Sequence, residues 1–157
     1  MKKITLFLIF MPLFWQLSAQ SELPYKPFET FNNDTLAFMD YNFRQRAEYY
    51  KGKTVGEVLE DISLPIISFT RYMRGRTTIC IIVNTEPVHR EFKSNYIRIY
   101  LQTPVDSKEL NLLRVKNGNE YSNAWNPKLY EFLKNEKVES VAPNHYRLWK
   151  EKGIRMY

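Results

Sequence analysis

The pattern of apolar and polar residues predicts a buried strand near the middle of the chain. Residues 77–83 are almost all β-branched or apolar and carry no charge. Such a run predicts a strand that is covered on both faces, because it offers no polar side to solvent. Alternate side chains are expected on the two faces: Ile79, Ile81 and Val83 on one, Cys80 and Ile82 on the other.

Residues 96–102 predict a second strand with one exposed side, because apolar and polar side chains alternate there. Ile97, Ile99 and Leu101 are expected to face inward. The positions between them, which include Tyr96, Arg98 and Tyr100, are expected to face outward. We expect this strand to pair antiparallel with residues 77–83.

The segment before these strands has the apolar periodicity of an α-helix. Apolar side chains recur every three or four residues from 35 to 51, behind Asp34 as the N-cap. Thr54 and Glu57 form a capping-box pattern at the start of a second apolar stripe, which Pro65 ends. Because Gly52 and one lysine are all that separate the two patterns, they predict a helical hairpin.

The other segments carry weaker patterns. Two prolines indicate an extended arm over residues 20–33, residues 65–69 read as a short strand or connector, and residues 71–76 as a basic turn. Further along, Asn126-Pro127 predicts a short helix, residues 137–142 a last strand and Pro143-Asn144 a final helical turn. Helices followed by strands predict an α+β fold, with an N-terminal helical hairpin packed on a small antiparallel sheet in a single domain from 34 to 157.

Residues 1–19 have the pattern of a signal peptide. Lys2 and Lys3 precede an apolar run from 4 to 17, and Ala19 precedes polar residues. The run is shorter than the roughly 20 residues that a membrane span needs. Leu17 departs from the pattern, because a small residue is preferred there. We expect cleavage near Gln20, export to the periplasm or the outside, and no transmembrane span in the mature chain.

The composition offers little catalytic chemistry. Loss of the two leader lysines would lower the net charge from +6 to +4. The single cysteine, Cys80, cannot form an internal disulfide and is expected to be a buried, inert thiol. His89 and His145 do not have metal-ligand spacing, and the five glycines form no phosphate-binding loop. No metal site, cofactor or catalytic group is predicted.

The candidate binding residues combine arginines with aromatic side chains. They lie in the predicted basic turn and on the outward side of the second strand: Arg71, Tyr72, Arg74, Arg76, Tyr96, Arg98 and Tyr100. Arginine beside an aromatic ring suits phosphate, carboxylate or sugar-acid ligands. The alternative is an ordinary charged surface, because antiparallel pairing would bring Asp106 and Glu109 near the basic turn, where they could neutralise the arginines.

Two classes of function remain open. The first is a small exported binding or interaction module without catalysis, whose partner is an envelope protein or an anionic polymer or glycan. The second is a minimal exported hydrolase that uses His89 or His145 with a carboxylate. Nucleic acid is a poor candidate because the chain carries an export signal and only a modest positive charge. The oligomeric state is left open.

Overall fold

A computed structural model describes residues 23–85, 95–117 and 120–144. The predicted leader lies outside these residues. The described part contains four α-helices and six strands: α1 (Thr35–Met39), α2 (Val55–Asp61), α3 (Ser107–Leu112), α4 (Pro127–Leu133), β1 (Ser68–Arg74), β2 (Thr77–Asn84), β3 (Tyr96–Asp106), β4 (Val115–Asn117), β5 (Glu120–Ser122) and β6 (Val138–Asn144). None of these helices has the length and apolar character to cross a bilayer.

Four of the strands form one antiparallel sheet in the order β1-β2-β3-β6, while β4 and β5 form a separate ribbon. The predicted pairing of the two central strands is confirmed, with Ile81 opposite Ile99 and Val83 opposite Ile97. Helices and an antiparallel sheet together confirm the predicted α+β class.

The core lies on one side of the four-stranded sheet. Inward side chains of the strands, such as Phe69, Ile81 and Ile99, form one buried cluster with helix side chains such as Phe43 and Leu133. Burying a side chain of this size contributes about 1.5–3 kcal/mol to stability. The helices therefore cover a single face of the sheet.

The prediction that both faces of the central strand are covered is largely confirmed, because Ile81 and Val83 are buried on one face and Cys80, which is 1% exposed, is buried on the other. Ile81 and Val83 belong to the core cluster, whereas Cys80 does not and Ile82 is only half-buried. The register shifts between Thr78 and Cys80, so Ile79 has no partner and leaves the alternation. A bulge of this kind cannot be read from a uniformly apolar run, because every position offers the same side chain type.

The predicted basic turn over residues 71–76 is also wrong in its bounds. Residues up to Arg74 belong to β1, and the turn itself is Gly75-Arg76. Gly75 has a φ of 64°, which suits the first position of a two-residue hairpin turn that requires positive φ. The hydropathy pattern did not identify β1 as a strand because most of its side chains are polar, as is common in a strand at the edge of a sheet.

The first predicted helix is irregular. α1 continues as a π-helical segment (Asp40–Gln45) and then as a 3₁₀ turn (Ala47–Tyr50). Two polar side chains, Asn42 and Arg46, lie in its buried stripe. The Asn42 amide accepts from the Lys26 N–H (3.1 Å) and donates to the Lys26 carbonyl (2.8 Å), so it holds the extended residues ahead of the helix.

Arg46 joins three parts of the chain. Its Nε donates to the carbonyl of Leu23 at 2.7 Å, and its Nη1 donates to the Tyr50 hydroxyl at 3.1 Å and lies 3.6 Å from Asp61 Oδ2. The Tyr50 hydroxyl donates in turn to Asp61 Oδ2 at 2.9 Å. Burial, followed by the charge of Asp61, raises the pKa of Tyr50, so the phenol stays protonated and keeps donating.

The last part of the chain is partly as predicted. The Asn126 side chain accepts from the N–H groups of Lys128 and Leu129, with Pro127 as the first residue of α4, so the predicted helix start is confirmed. Pro143 and Asn144 lie in β6, where they pair with β3, and the predicted helical turn does not begin there. The residues that would complete that turn lie outside the described residues.

The capping box predicts coupled stability effects. Thr54 Oγ1 accepts from the Glu57 N–H at 3.2 Å, and the Thr54 N–H donates to Glu57 Oε2 at 2.7 Å. Thr54→Ala should lower the free energy of unfolding by about 1 kcal/mol, and Glu57→Ala by less. The double mutant should lose less than the sum, because either change breaks the same box. Urea titration of all four forms measures this, and full additivity would contradict it.

The same box predicts a pH dependence. The hydrogen bond from the Thr54 N–H lowers the pKa of Glu57 below 4.5. The contribution of Glu57 is therefore present above pH 4.5 and is lost as the pH falls through the lowered pKa. The destabilisation caused by Glu57→Ala should shrink over that acidic range.

Replacing Arg46 should strongly destabilise the protein. Arg46→Met removes the buried cation beside Asp61 and the hydrogen-bond donor of the Leu23 carbonyl. We therefore expect a loss of about 3 kcal/mol in the free energy of unfolding. Arg44→Met is the matched control, because that side chain is 56% exposed beside Asp40 and should change stability by less than about 1 kcal/mol. Equal losses in the two variants, measured by denaturant titration, would show that Arg46 does not hold these segments together.

Candidate functional site

The side of the four-stranded sheet that faces away from the core carries most of the predicted binding residues. We call it the open face. The strand register places its side chains in three rows, each running across β1, β2, β3 and β6: Tyr72, Cys80, Tyr100 and Ser140; Thr70, Ile82, Arg98 and Ala142; Ser68, Asn84, Tyr96 and Asn144.

Strand alternation produces this face. Since Ile97, Ile99 and Leu101 are buried in the core, the residues between them on β3 point to the other side. Every buried apolar side chain of the described helices belongs to the core cluster, so none of these helices is anchored on the open face.

Arg98 and Tyr96 form a fixed pair on this face. Arg98 Nη2 donates to the Tyr96 hydroxyl at 2.8 Å, and the guanidinium carbon lies 5.2 Å from the centroid of the Tyr96 ring. Both side chains are half-buried. The contact orients the guanidinium, and among the described residues no other side chain or carbonyl accepts a hydrogen bond from it.

Two further tyrosines stand in the row beside Arg98. Tyr72 is 62% exposed and Tyr100 is half-buried. They lie on either side of β2, and since neighbouring strands are about 4.8 Å apart, their Cα atoms are separated by roughly 10 Å. The arrangement offers two aromatic rings and one cation on rigid strands.

Cys80 lies between these tyrosines but is only 1% exposed. Burial raises the pKa of its thiol to about 11, although the nearby charge of Arg98 acts in the opposite direction. The group therefore stays a neutral thiol at physiological pH, and the predicted burial of the cysteine is confirmed.

The structure divides the predicted site residues. Tyr72, Tyr96, Arg98 and Tyr100 share the open face, and Arg74 extends it because it follows Tyr72 by two positions on β1. Arg76 lies in the exposed β1–β2 turn.

Arg71 is turned to the other side of β1, level with Ile81. Its Nη2 donates to Asn111 Oδ1 of α3 at 2.7 Å. Arg71 therefore does not belong to the open face.

The prediction that Asp106 and Glu109 lie near the basic turn and neutralise its arginines is only partly confirmed. Asp106 does lie opposite Thr77, and the Ser107 N–H donates to the Arg76 carbonyl at 3.1 Å. Among the described residues, however, no ion pair joins Arg71, Arg74 or Arg76 to Asp106 or Glu109. Asp106 Oδ1 instead accepts from the Lys108 N–H and caps α3.

Sequence reasoning missed a second cluster, around Arg71. Arg114 and Asn123 line one pocket with Arg71 at the outer edge of β1. No local pattern indicates this cluster, because its members come from three separate segments. Only the register of the sheet edge and the position of α3 bring them together.

The histidines of the hydrolase hypothesis, His89 and His145, lie outside the described residues. Within the ranges 23–85, 95–117 and 120–144, no three His, Cys, Asp or Glu side chains are placed to hold a metal ion.

The chain matches no protein-family model, no curated protein and no solved structure. Its function therefore has to be argued from its own residues.

Proposed function

We propose that this chain is a small exported binding module, without catalysis, whose open face binds an anionic glycan of the cell envelope. One observation carries the proposal: the sheet is covered by helices on one side and presents tyrosines and arginine on the other. An extended ligand can lie across the strands without displacing any described helix.

The chemistry of the open face suits an acidic sugar chain. Tyrosine rings present an apolar surface with a polar edge, which matches the apolar face and the hydroxyl edge of a sugar ring. Arg98, between the tyrosine rows, offers the planar donor that carboxylates and phosphates prefer. The side chains around it are mostly small or polar, among them Ser68, Thr70 and Ser140, so the face has little of the apolar centre that a protein partner needs.

Removing the rings or the cation should weaken glycan binding. We expect Tyr72→Ala, Tyr100→Ala and Arg98→Gln each to reduce affinity for an acidic oligosaccharide about tenfold, the effect of losing roughly 1.4 kcal/mol. Tyr72→Phe keeps the ring and should bind nearly normally. Lys128→Gln removes the positive charge of an exposed side chain on α4 and should have little effect. Isothermal titration after a glycan array measures this, and affinity should fall as salt rises.

The outcomes separate the partner classes. Saturable binding that depends on the tyrosines and Arg98 supports an anionic glycan. Capture of an envelope protein through the same residues, without glycan binding, would replace the glycan by a protein partner. No saturable binding of either class would refute the binding module.

Export is the second part of the proposal. The charged start, the apolar run and the switch to polar residues after Ala19 support it. N-terminal sequencing of protein from the native host should find a mature chain that begins at or near Gln20, outside the cytoplasm. Recovery of an intact Met1 from the soluble cytoplasmic fraction would refute export and, with it, an envelope glycan as the ligand.

A further inference from the structure

β1 forms one edge of the four-stranded sheet, because only β2 pairs with it in that sheet. The Phe69 N–H points outward and donates to the Asn123 carbonyl at 2.9 Å. Because backbone groups alternate in direction along an antiparallel strand, the N–H and C=O groups of Arg71 and Met73 also point outward. No described residue bonds to these outward groups. In the described part of the chain, the outer side of β1 is therefore unpaired from Arg71 onward.

The backbone alternation of β1 is regular, because the register shift between β1 and β2 omits Ile79 of β2 and no residue of β1. The opposite edge of the sheet is less open. The Val138 N–H of β6 donates to the Lys53 carbonyl at 2.9 Å, and its carbonyl accepts from the Gly52 N–H at 2.8 Å. Further along β6, Pro143 has no N–H to donate. The edge that can pair with an additional strand is therefore β1.

Two pockets lie along β1, one beside each end of the unpaired stretch. The first has a volume of about 240 Å³ and lies at residues 69–71. The second has a volume of about 400 Å³ and lies between Met73, the β1–β2 turn and the start of α3. Between them, Tyr72 is 62% exposed and Met73 is 41% exposed, on opposite sides of the strand. An added strand would run past both pockets and cover both side chains.

The basic side chains at this edge form no ion pair within the described residues. The ion pairs found there involve neither Arg74 nor Arg76 nor Lys108. Arg76 and Lys108 line the second pocket together with Asp106, whose Oδ1 accepts from the Lys108 N–H as the cap of α3. Positive charge thus exceeds negative charge in this pocket, and an acidic partner would neutralise the excess.

The arginines of β1 oppose pairing with the same strand of a second copy. When two identical strands pair antiparallel, Arg71 and Arg74 approach the same positive side chains of the other chain, and like charges in such positions are destabilising. Charged residues on edge strands are a common means of preventing identical sheets from associating. The same charges favour an extended segment that carries acidic side chains.

We propose that the outer edge of β1 binds an extended acidic segment of a protein partner by β-strand addition. The backbone groups of Arg71 and Met73 supply the hydrogen bonds of the new strand pair. Acidic side chains of the partner lie on the α3 side, near Arg71 and the pocket of Arg76 and Lys108, and apolar side chains on the other side cover Tyr72. This contact uses the edge of the sheet, whereas the proposed glycan binding uses its open face.

A blocked peptide with alternating acidic and apolar residues, acetyl-Glu-Val-Glu-Val-Glu-Val-amide, is the probe. The peptide with lysine in place of each glutamate is the matched control. Titration of the full chain should shift the amide resonances of Arg71 and Met73 saturably with the acidic peptide only, and the affinity should fall as salt rises. Hydrogen exchange at these two N–H groups should slow by about tenfold or more, because they become donors in a strand pair.

Variants test whether the backbone edge carries the binding. Met73→Pro removes one outward N–H without changing the charge or a bond between β1 and β2, and should weaken peptide binding about tenfold or more. Met73→Leu keeps the N–H and should bind nearly normally. Arg76→Gln should weaken binding about threefold, as expected for one exposed charge, and Lys128→Gln is its control. Circular dichroism and the thermal midpoint establish that each variant is folded.

The proposal is overturned if the acidic peptide gives no saturable response or if the lysine peptide binds equally well. It is also overturned if the N–H groups of Arg71 and Met73 gain no protection on binding, or if Met73→Pro and Met73→Leu bind alike. Sedimentation of the chain alone tests a second copy, because a dimer that Met73→Pro dissociates would assign the edge to self-association instead. Tyr100→Ala should leave peptide binding unchanged, so failure of the glycan surface and failure of the edge give different results.

Discussion

The whole arrangement depends on the fact that the sheet has one apolar side. Side chains such as Ile81, Ile97 and Ile99 must leave water, and burying them is the largest favourable term in the stability of the fold. The helices satisfy this requirement from one side only. The polar and aromatic residues between the apolar ones are then placed on the other side of the sheet.

Polar contacts decide how the N-terminal segments attach to this core. Arg46 would be costly to bury alone, but a carbonyl, a phenol and a carboxylate surround it, and the Tyr49 ring lies 4.5 Å from its guanidinium carbon. The same contacts tie residues 23–27 to the helical segment and to α2. Polar contacts thus fix the position of residues 23–27, whereas burial of apolar side chains drives the packing of the helices on the sheet.

Strand geometry separates two side chains that are neighbours in sequence. Tyr72 and Arg71 are neighbours in sequence, yet alternation turns them to opposite sides of β1. One becomes part of an aromatic surface, and the other becomes part of a pocket with Arg114. A single basic stretch therefore supplies two surfaces with different chemistry.

The sequence by itself determined the parts of the fold that rest on local periodicity and capping. The alternation in 96–102 identified the inward side of β3, and Thr54-Glu57 and Asn126-Pro127 marked helix starts, because these signals act between residues a few positions apart. It also placed Tyr96, Arg98 and Tyr100 on one outward side. The tertiary structure alone decided that β1 is an edge strand, that Ile79 leaves the register, that Arg46 is buried and that Arg71 meets Arg114. Each of these depends on contacts between distant segments, and neither hydropathy nor spacing along the chain encodes which segments those are.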